Sequence, residues 1–238
     1  MAELALVVGG SSGIGLATAR LLADRGAQVH VTGRNAGRLD EVRRLDDRLH
    51  AHQADGTSDA DMRALCTQLD RIDWLVLAMS GGAGAGPIAD LDAAILREAF
   101  EAKFWGHFTS LQAALPHLAL AGSVTFVSAG SARASIPGTA GLAAVNGALE
   151  SMVRPLAVEL APRRVNAVSP GLVDTPWWDA MPDDVRSAYF TQAAAMLPVR
   201  KVATAKDVAE SVVLVETNPN MTGTVIECDG GARLVSLA

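Results

Sequence analysis

Near its N-terminus the chain reads Gly9-Gly10-Ser11-Ser12-Gly13-Ile14-Gly15, directly after the apolar run Leu4 to Val8. A helical pattern, Gly13 to Arg25, begins at once within these glycines. Glycines let the backbone turn tightly and approach a pyrophosphate, and the helix N-terminus adds N–H donors and the positive end of its dipole. This context predicts a loop that binds the phosphates of a dinucleotide; a plain tight turn is the alternative. The residues predicted to bind are Gly9, Ser11, Ser12, Gly13, Ile14 and Gly15.

Six further apolar runs follow this first one, and helical patterns alternate with them. The runs are Gln28 to Thr32, His50 to Ala54, Trp74 to Ala78, Ser123 to Ser128, Arg164 to Ser169 and Thr224 to Cys228. Near-continuous apolar strands are typical of a parallel sheet that is covered on both faces. Because no linker divides the chain, we predict one domain over residues 1–238. Its fold class is α/β: a doubly wound, Rossmann-type, seven-stranded parallel sheet with helices on both faces.

The segments between the runs carry helix signals. From Gly37 to Leu49, apolar residues lie on one predicted helix face and charged residues lie on the other. The apolar residues of that face are Leu39, Val42, Leu45 and Leu49. The spacing of a capping box occurs twice and predicts two more helix starts. The two pairs are Ser58 with Asp61 and Thr204 with Asp207.

Composition excludes several classes of protein. A hydrophobic content of 50% over 238 residues is ample for a core, and a net charge of −6 gives no reason to bind nucleic acid. The stretch from Phe104 to Ala132 has no acidic or basic residue, but Gly, Pro and His interrupt it. We therefore expect a buried helix followed by a buried strand, and no membrane span.

Two distant cysteines, Cys66 and Cys228, suggest neither a disulfide framework nor a metal site. An acidic start at Glu3 argues against a secretory signal, so we expect a cytoplasmic protein.

The longest segment outside the alternation covers residues 174–202. It is rich in large apolar side chains: Trp177, Trp178, Met181, Tyr189, Phe190 and Met196. Ligands of this type of sheet bind beyond the carboxyl ends of the strands. The segment is either an apolar lid over a pocket for an apolar small molecule or an ordinary helical insertion.

The spacing of the first glycines resembles the TGxxxGxG pattern of the short-chain dehydrogenase/reductase family, with Gly9 in place of the threonine. The resemblance continues along nearly the whole chain: Asp229-Gly230-Gly231 matches the closing DGG of the family. It implies that Asp55 contacts the adenine. It also implies that Arg164 to Val173, similar to the RVNxxxPG stretch, flanks the nicotinamide. The residues implied there are Pro170, Gly171, Val173 and Thr175.

The end of the second strand bears on which nicotinamide cofactor is bound. An acidic residue there would accept the ribose 2′-OH of NAD and repel a 2′-phosphate. Here Gly33 is followed by Arg34, whose guanidinium can bind a phosphate through two hydrogen bonds. The pair favours NADP(H); an arginine that is merely solvated at a strand end is the alternative.

The resemblance also implies four catalytic positions, and this chain departs from the family pattern at all of them. Aligning the YxxxK helix places Leu142 at the tyrosine and Asn146 at the lysine, while the serine falls on Ala129 and the asparagine on Lys103. The tyrosine protonates the alkoxide formed by hydride delivery, and leucine has no proton to give. Loss of a positioned general acid costs about 10² to 10⁴ in rate.

Lysine and asparagine have exchanged places between positions 103 and 146. We hypothesise that the Lys103 ammonium occupies the space of the family's lysine and binds the nicotinamide ribose; a lysine turned to solvent is the alternative. Other hydroxyl, phenol and imidazole groups do not have the spacing of a known catalytic dyad. These residues are Ser128, Ser131, Tyr189, His107 and His117.

Three functions remain open from the sequence. The first is an NADP(H) binder without the standard catalytic set, acting as a redox sensor or regulator. The second is an NADP(H)-dependent oxidoreductase that acts on an apolar carbonyl or activated alkene through an unconventional proton donor. The third, a scaffold without cofactor, is disfavoured by the glycine loop.

The resemblance further implies a homodimer or homotetramer that pairs through the predicted helices Lys103 to Leu120 and Gly138 to Leu160.

Overall fold

A computed structural model describes residues 2–235 and contains one seven-stranded parallel sheet. Its strands are β1 (Leu4–Val8), β2 (Gln28–Gly33), β3 (Leu49–Gln53), β4 (Ile72–Leu77), β5 (Leu118–Val127), β6 (Arg164–Pro170) and β9 (Val225–Cys228). Two short strands, β7 (Val173–Asp174) and β8 (Ala203–Thr204), pair separately. The order in the sheet is β3-β2-β1-β4-β5-β6-β9. The chain therefore reverses its winding direction between β1 and β4, where this class of sheet binds ligands.

Helices cover both faces of the sheet, as predicted. They are α1 (Gly13–Asp24), α2 (Ala36–Leu45), α3 (Asp59–Leu69), α4 (Ala93–Ala99), α5 (Gly106–Ala114), α6 (Ala140–Glu159), α7 (Asp183–Met196) and α8 (Ala205–Thr217). A π-helical turn, Phe100–Trp105, joins α4 to α5. Side chains of β1 alternate between two cores: Ala5 and Val7 pack towards α1 and α8, while Leu6 and Val8 pack with the residues of α3 and α5. This alternation buries both faces of the central strand.

The predicted helix starts are confirmed by hydrogen bonds at the caps. The Ser58 side chain accepts a hydrogen bond from the Asp61 backbone at the start of α3. At α8 the capping box is complete, because Thr204 Oγ1 accepts from the Asp207 backbone while the Asp207 carboxylate accepts from the Thr204 backbone. Each pair supplies partners for N–H groups that the first helical turn leaves free.

The prediction of a helix from Gly37 to Leu49 is wrong at its C-terminal end. Helix α2 ends at Leu45, whose side chain is 64% exposed, and Leu49 begins β3 beside Val29. Asp46 adopts an extended conformation and receives a two-point hydrogen bond from the Arg48 guanidinium. This local ion pair fixes the turn, so the helical spacing of Leu49 is a coincidence. Leu39 and Val42 are buried as predicted.

The predicted helix Lys103 to Leu120 is also shorter than expected. It begins as the π-helical turn, continues as α5 to Ala114 and ends in a 3₁₀ turn containing Pro116. Leu118 then begins β5, because proline has no N–H group to continue an α-helix. The uncharged stretch is a helix followed by a buried strand, as expected. Within residues 2–235, no helix is both long and apolar enough to cross a bilayer.

Candidate functional site

A single cavity of about 580 Å³ lies at the carboxyl ends of the central strands. It extends from the glycine loop after β1, past the ends of β2, β4 and β5, to the segment that follows β6. All the residues predicted to bind the dinucleotide line this cavity. They are Gly9, Ser11, Ser12, Gly13, Ile14, Gly15, Gly33, Arg34, Asp55, Lys103, Pro170, Gly171, Val173 and Thr175.

The glycine loop is shaped by close approaches of backbone to backbone. Gly9 has a φ of +82°, and a Cβ there would lie 2.9 Å from the carbonyl carbon of Ala78. A Cβ on Gly15 would overlap the carbonyl oxygen of Gly9. Ser12 precedes α1 without a side-chain cap, and the first residues of this helix line the cavity. The loop thus leaves an uncovered cradle of N–H donors, as a diphosphate requires.

Two arginines lie at the end of the cavity beside β2. Arg34 and Arg38 are exposed, and within the described residues neither guanidinium forms a hydrogen bond or salt bridge. The Asn35 side chain between them accepts a hydrogen bond from the Arg38 backbone and begins α2. A side chain at Gly33 would contact Ser11 Oγ at 2.6 Å. Two unpaired cations and a crowded glycine thus make this corner positively charged, with no carboxylate at the end of β2.

Asp55 is held in one orientation by its neighbours. Its carboxylate accepts hydrogen bonds from the backbone N–H and the hydroxyl of Thr57, both at 2.9 Å, and its own N–H donates to the Asp61 carboxylate. It follows the edge strand β3 and lines the cavity. The adenine contact implied by the resemblance stays a prediction.

The DGG motif, Asp229 to Gly231, packs against the segment after β6 that lines the cavity. A Cβ on Gly171 would lie 2.7 Å from Asp229 Cα, so the chain after β6 packs directly on the chain after β9. The Asp229 carboxylate accepts hydrogen bonds from the Gly231 and Arg233 backbones. Thr175 lies next to Gly13, on the far side of the phosphate loop.

The four positions implied to be catalytic converge on the middle of the cavity. Lys103, Ala129, Leu142 and Asn146 all line it. Lys103 is only 7% exposed, and its Nζ donates a hydrogen bond of 3.1 Å to the Ser128 carbonyl oxygen. The alternative of a lysine turned to solvent is therefore wrong. Contact with a ribose remains a prediction.

Burial dominates the electrostatics around Lys103. It lowers the pKa of the ammonium to about 8, although the Glu150 carboxylate acts in the opposite direction. His107, one helical turn later, is fully buried, and burial lowers its pKa to about 3. Its ring nitrogens lie 2.7 Å from the Lys103 carbonyl oxygen and 3.0 Å from that of Leu77. With its pKa lowered by burial the ring carries one N–H, so it can donate to only one of these two oxygens. Lys103 is the ionisable group of this helix that lines the cavity.

Asn146 has an unused hydrogen-bond acceptor. Its Nδ2 donates to the Leu142 carbonyl oxygen and to Ser131 Oγ, at 2.9 and 3.2 Å. Its Oδ1 is buried and has no donor among the described residues. A buried amide oxygen without a donor is costly, so a ligand hydroxyl or N–H would complete the site. This orphaned oxygen and the bare glycine cradle both fit a nicotinamide dinucleotide.

Sequence reasoning missed Glu150 and Arg133. The Glu150 carboxylate accepts a 2.7 Å hydrogen bond from Ser128 Oγ and pairs with Arg133 at 2.9 Å. Glu150 follows Leu142 and Asn146 at intervals of four along α6, so all three lie on one helix face. That spacing is the signal that could have found it.

Part of the aromatic segment closes the far end of the cavity. Trp177, Trp178 and Tyr189 line it, and Trp178 donates a 3.0 Å hydrogen bond from its indole to the Val173 carbonyl oxygen. The Tyr189 ring packs against Trp178, with centroids 5.5 Å apart. Phe190 packs on Trp178 at 5.6 Å and does not line the cavity. The wall at this end is thus aromatic and fixed by one backbone contact.

The fold and the cavity place the chain among the doubly wound α/β domains whose ligand site begins at a glycine loop after the first strand. Comparison with known proteins narrows this class. The model of the enoyl-(acyl carrier protein) reductase family matches residues 8–233. A putative ketoacyl reductase 2 of the granaticin polyketide synthase, from Streptomyces violaceoruber, is 35% identical over 246 residues, which cover 98% of this chain and 97% of that protein.

Solved structures agree with the sequence matches. A small-chain dehydrogenase in complex with NADPH has a TM-score of 0.86 and 32% identity. The match covers 98% of this chain and 100% of the other. An NADPH-bound short chain oxidoreductase from Pseudomonas aeruginosa, described as containing an atypical catalytic center, has a TM-score of 0.88 and 26% identity, covering 97% of this chain and 96% of the other. The chain belongs to the short-chain dehydrogenase/reductase family.

Proposed function

We propose that this protein is an NADP(H)-dependent oxidoreductase that acts on an apolar carbonyl compound or activated alkene. One observation carries the proposal: a single cavity joins the phosphate loop to the aromatic wall, with a buried ammonium between them. A protein that only bound the cofactor would need no apolar chamber beyond it. The relatives that are named as reductases or contain NADPH support the assignment.

We further propose which residues of the cavity bind each part of the cofactor. The loop from Gly9 to Gly15 would bind the diphosphate, and Arg34 and Arg38 would bind the 2′-phosphate that distinguishes NADP(H) from NAD(H). Asp55 would contact the adenine, and the segment from Pro170 to Thr175 would flank the nicotinamide. When bound there, NADPH would supply a hydride to the substrate.

A redox sensor or regulatory binder is the second candidate. It is favoured by Leu142 and Ala129, which put no hydroxyl at the two positions where the family resemblance implies the tyrosine and the serine. Incubating the protein with NADPH and a panel of aldehydes, ketones and enones separates the two candidates. Consumption of NADPH above the background rate supports the oxidoreductase. Tight NADPH binding with no consumption across the panel leaves the sensor.

Arg34 is expected to select the cofactor. A hydrogen bond to a charged group contributes about 1.5–3 kcal/mol, so Arg34→Ala should weaken NADPH binding about tenfold or more. NADH binding should change little because it has no 2′-phosphate. Fluorescence titration of both cofactors measures the ratio. Arg44→Ala is the control, since Arg44 lies nearby on helix α2, which begins just after Arg34, but outside the cavity. An equal loss of NADPH and NADH affinity in Arg34→Ala would contradict this role.

The homodimer or homotetramer stays a prediction. Exposed apolar side chains do lie on or beside the helices implied to pair, namely Trp105, Leu120 and Val158.

A further inference from the structure

Lys103 has spare hydrogen-bonding capacity in the middle of the cavity. An ammonium carries three N–H donors. One of them bonds to the Ser128 carbonyl oxygen, and no other acceptor within residues 2–235 lies at hydrogen-bond distance from Nζ. The remaining donors are buried with the side chain, which lines the same cavity as Leu142 and Asn146. A buried ammonium with free donors is costly unless a ligand oxygen accepts from it.

The other polar groups of this region are poor proton donors. Ser128 Oγ donates to Glu150, whose carboxylate also pairs with Arg133. Ser131 Oγ accepts from Asn146. Serine hydroxyls are in any case far too weakly acidic to act alone. Tyr189 lies in the outer aromatic wall and is 43% exposed. Lys103 is therefore the remaining acidic group that can donate a proton in the middle of the cavity.

We propose that Lys103 is the catalytic proton donor of this protein, giving a proton from its ammonium to the oxygen of a reduced carbonyl. The proposal rests on the proposed function. Addition of a hydride to the carbonyl carbon moves the C=O π electrons onto oxygen, and NADPH is the two-electron reductant. An N–H bond of Lys103 then breaks as the new O–H bond forms. The alcohol leaves, and the neutral amine takes its next proton from water.

The surroundings of Lys103 keep its ammonium acidic enough for this role. Burial brings its pKa to about 8, close to neutrality, where general acids are most effective. The groups that face it are Glu150 on α6, which opposes that effect, and neutral His107 on α5. Glu150 also pairs with Arg133, which in turn pairs with Glu227, and its effect on Lys103 is smaller than that of burial.

The test compares four variants in single turnovers with saturating NADPH and 4-nitrobenzaldehyde, from pH 6 to pH 10. The parent rate should fall about tenfold per pH unit above about pH 8, where Lys103 loses its proton. Lys103→Met and Lys103→Arg should react at least about 10²-fold more slowly at pH 7, because neither transfers a proton readily. Lys206→Met, at an exposed salt bridge on α8, should behave as the parent does. Tyr189→Phe should keep the fall above pH 8.

A second readout does not depend on turnover. The chain has three lysines, Lys103, Lys201 and Lys206, so carbon-13 labelling at lysine Cε gives three NMR signals. The signal missing from Lys103→Met should titrate near pH 8, well below the ordinary lysine value of 10.5. NADPH should shift it selectively. Titration of the Lys103 signal at the ordinary lysine value of 10.5 would overturn the proposal.

Failure of the donor and failure of the proposed function give different results. If the parent consumes NADPH and Lys103→Met is within threefold of it, or if Tyr189→Phe abolishes the pH dependence, Lys103 is not the donor but the oxidoreductase stands. If the parent binds NADPH and reduces no member of the carbonyl panel, both proposals fall.

Discussion

Gly15→Ala is expected to weaken NADPH binding and to destabilise the protein. A Cβ at this position would overlap the Gly9 carbonyl oxygen and would lie 3.1 Å from Gly10 Cα. Both contacts are backbone, so the loop must move away from α1 to relieve them. Forcing an extra methyl group into a packed site costs about 1–3 kcal/mol, and displacement of the N–H cradle should weaken NADPH binding by at least about tenfold. Urea unfolding and NADPH titration measure the two effects.

Gly147→Ala is the matched control because it makes the same change inside another helix. A Cβ on Gly147 would meet nothing within 4 Å. Since alanine is the better helix former by about 0.8–1 kcal/mol, this variant should be slightly more stable and should bind NADPH as the parent does. If Gly15→Ala matched Gly147→Ala in both stability and affinity, the tight packing of the phosphate loop would be disproved.

Glu216 should make the protein less stable as the pH rises from about 5 to 8. This carboxyl is fully buried at the end of α8, and burial raises its pKa to about 7. Ser123 Oγ donates to one of its oxygens, while Oε1 has no partner among the described residues. Because the folded pKa lies above the ordinary value of 4.5, the folded state binds this proton more tightly. The corresponding stability is complete below pH 4.5 and is lost as the pH rises through 7.

The size of this effect follows from the shift, at about 1.4 kcal/mol per pKa unit. Between pH 5 and pH 8 the parent should lose about 2–3 kcal/mol of unfolding free energy relative to Glu216→Gln, which carries no titrating proton. Urea unfolding of both proteins at pH 5, 6, 7 and 8 measures the difference. Glu210→Gln, at an exposed position of the same helix, should follow the parent at every pH. Parallel profiles for the parent and Glu216→Gln would contradict a buried neutral carboxyl.

Local patterns were sufficient for most of the fold. Strands such as β1 and β4 are continuous apolar runs that a sheet buried on both faces needs, so their positions follow from the sequence. The two helix boundaries that were wrong depend on single residues. Asp46 ends α2 by pairing with Arg48, and Pro116 ends the helix that begins as α5. The spacing of hydrophobic residues does not show where such an ion pair or a proline ends a helix.

The phosphate end of the site was equally predictable, because its residues are neighbours in the chain. The loop from Gly9 to Gly15 builds its cradle from one turn, and Gly33 with Arg34 ends one strand. Alignment with the family pattern also identified Lys103 and Asn146 as residues of the same site. It did not show whether the lysine faces the cavity or the solvent.

The sequence by itself determined the order of strands and helices, the glycine loop and the charge pattern at the cofactor end. Each of these depends on residues within about one turn or one strand of each other. The tertiary structure alone decided that the Lys103 ammonium lies against the Ser128 carbonyl, that Glu150 joins Ser128 to Arg133, and that Glu216 is sealed beside Ser123. Those contacts join residues far apart in the chain, and burial, which sets their pKa values, exists only after the sheet and its helices have packed.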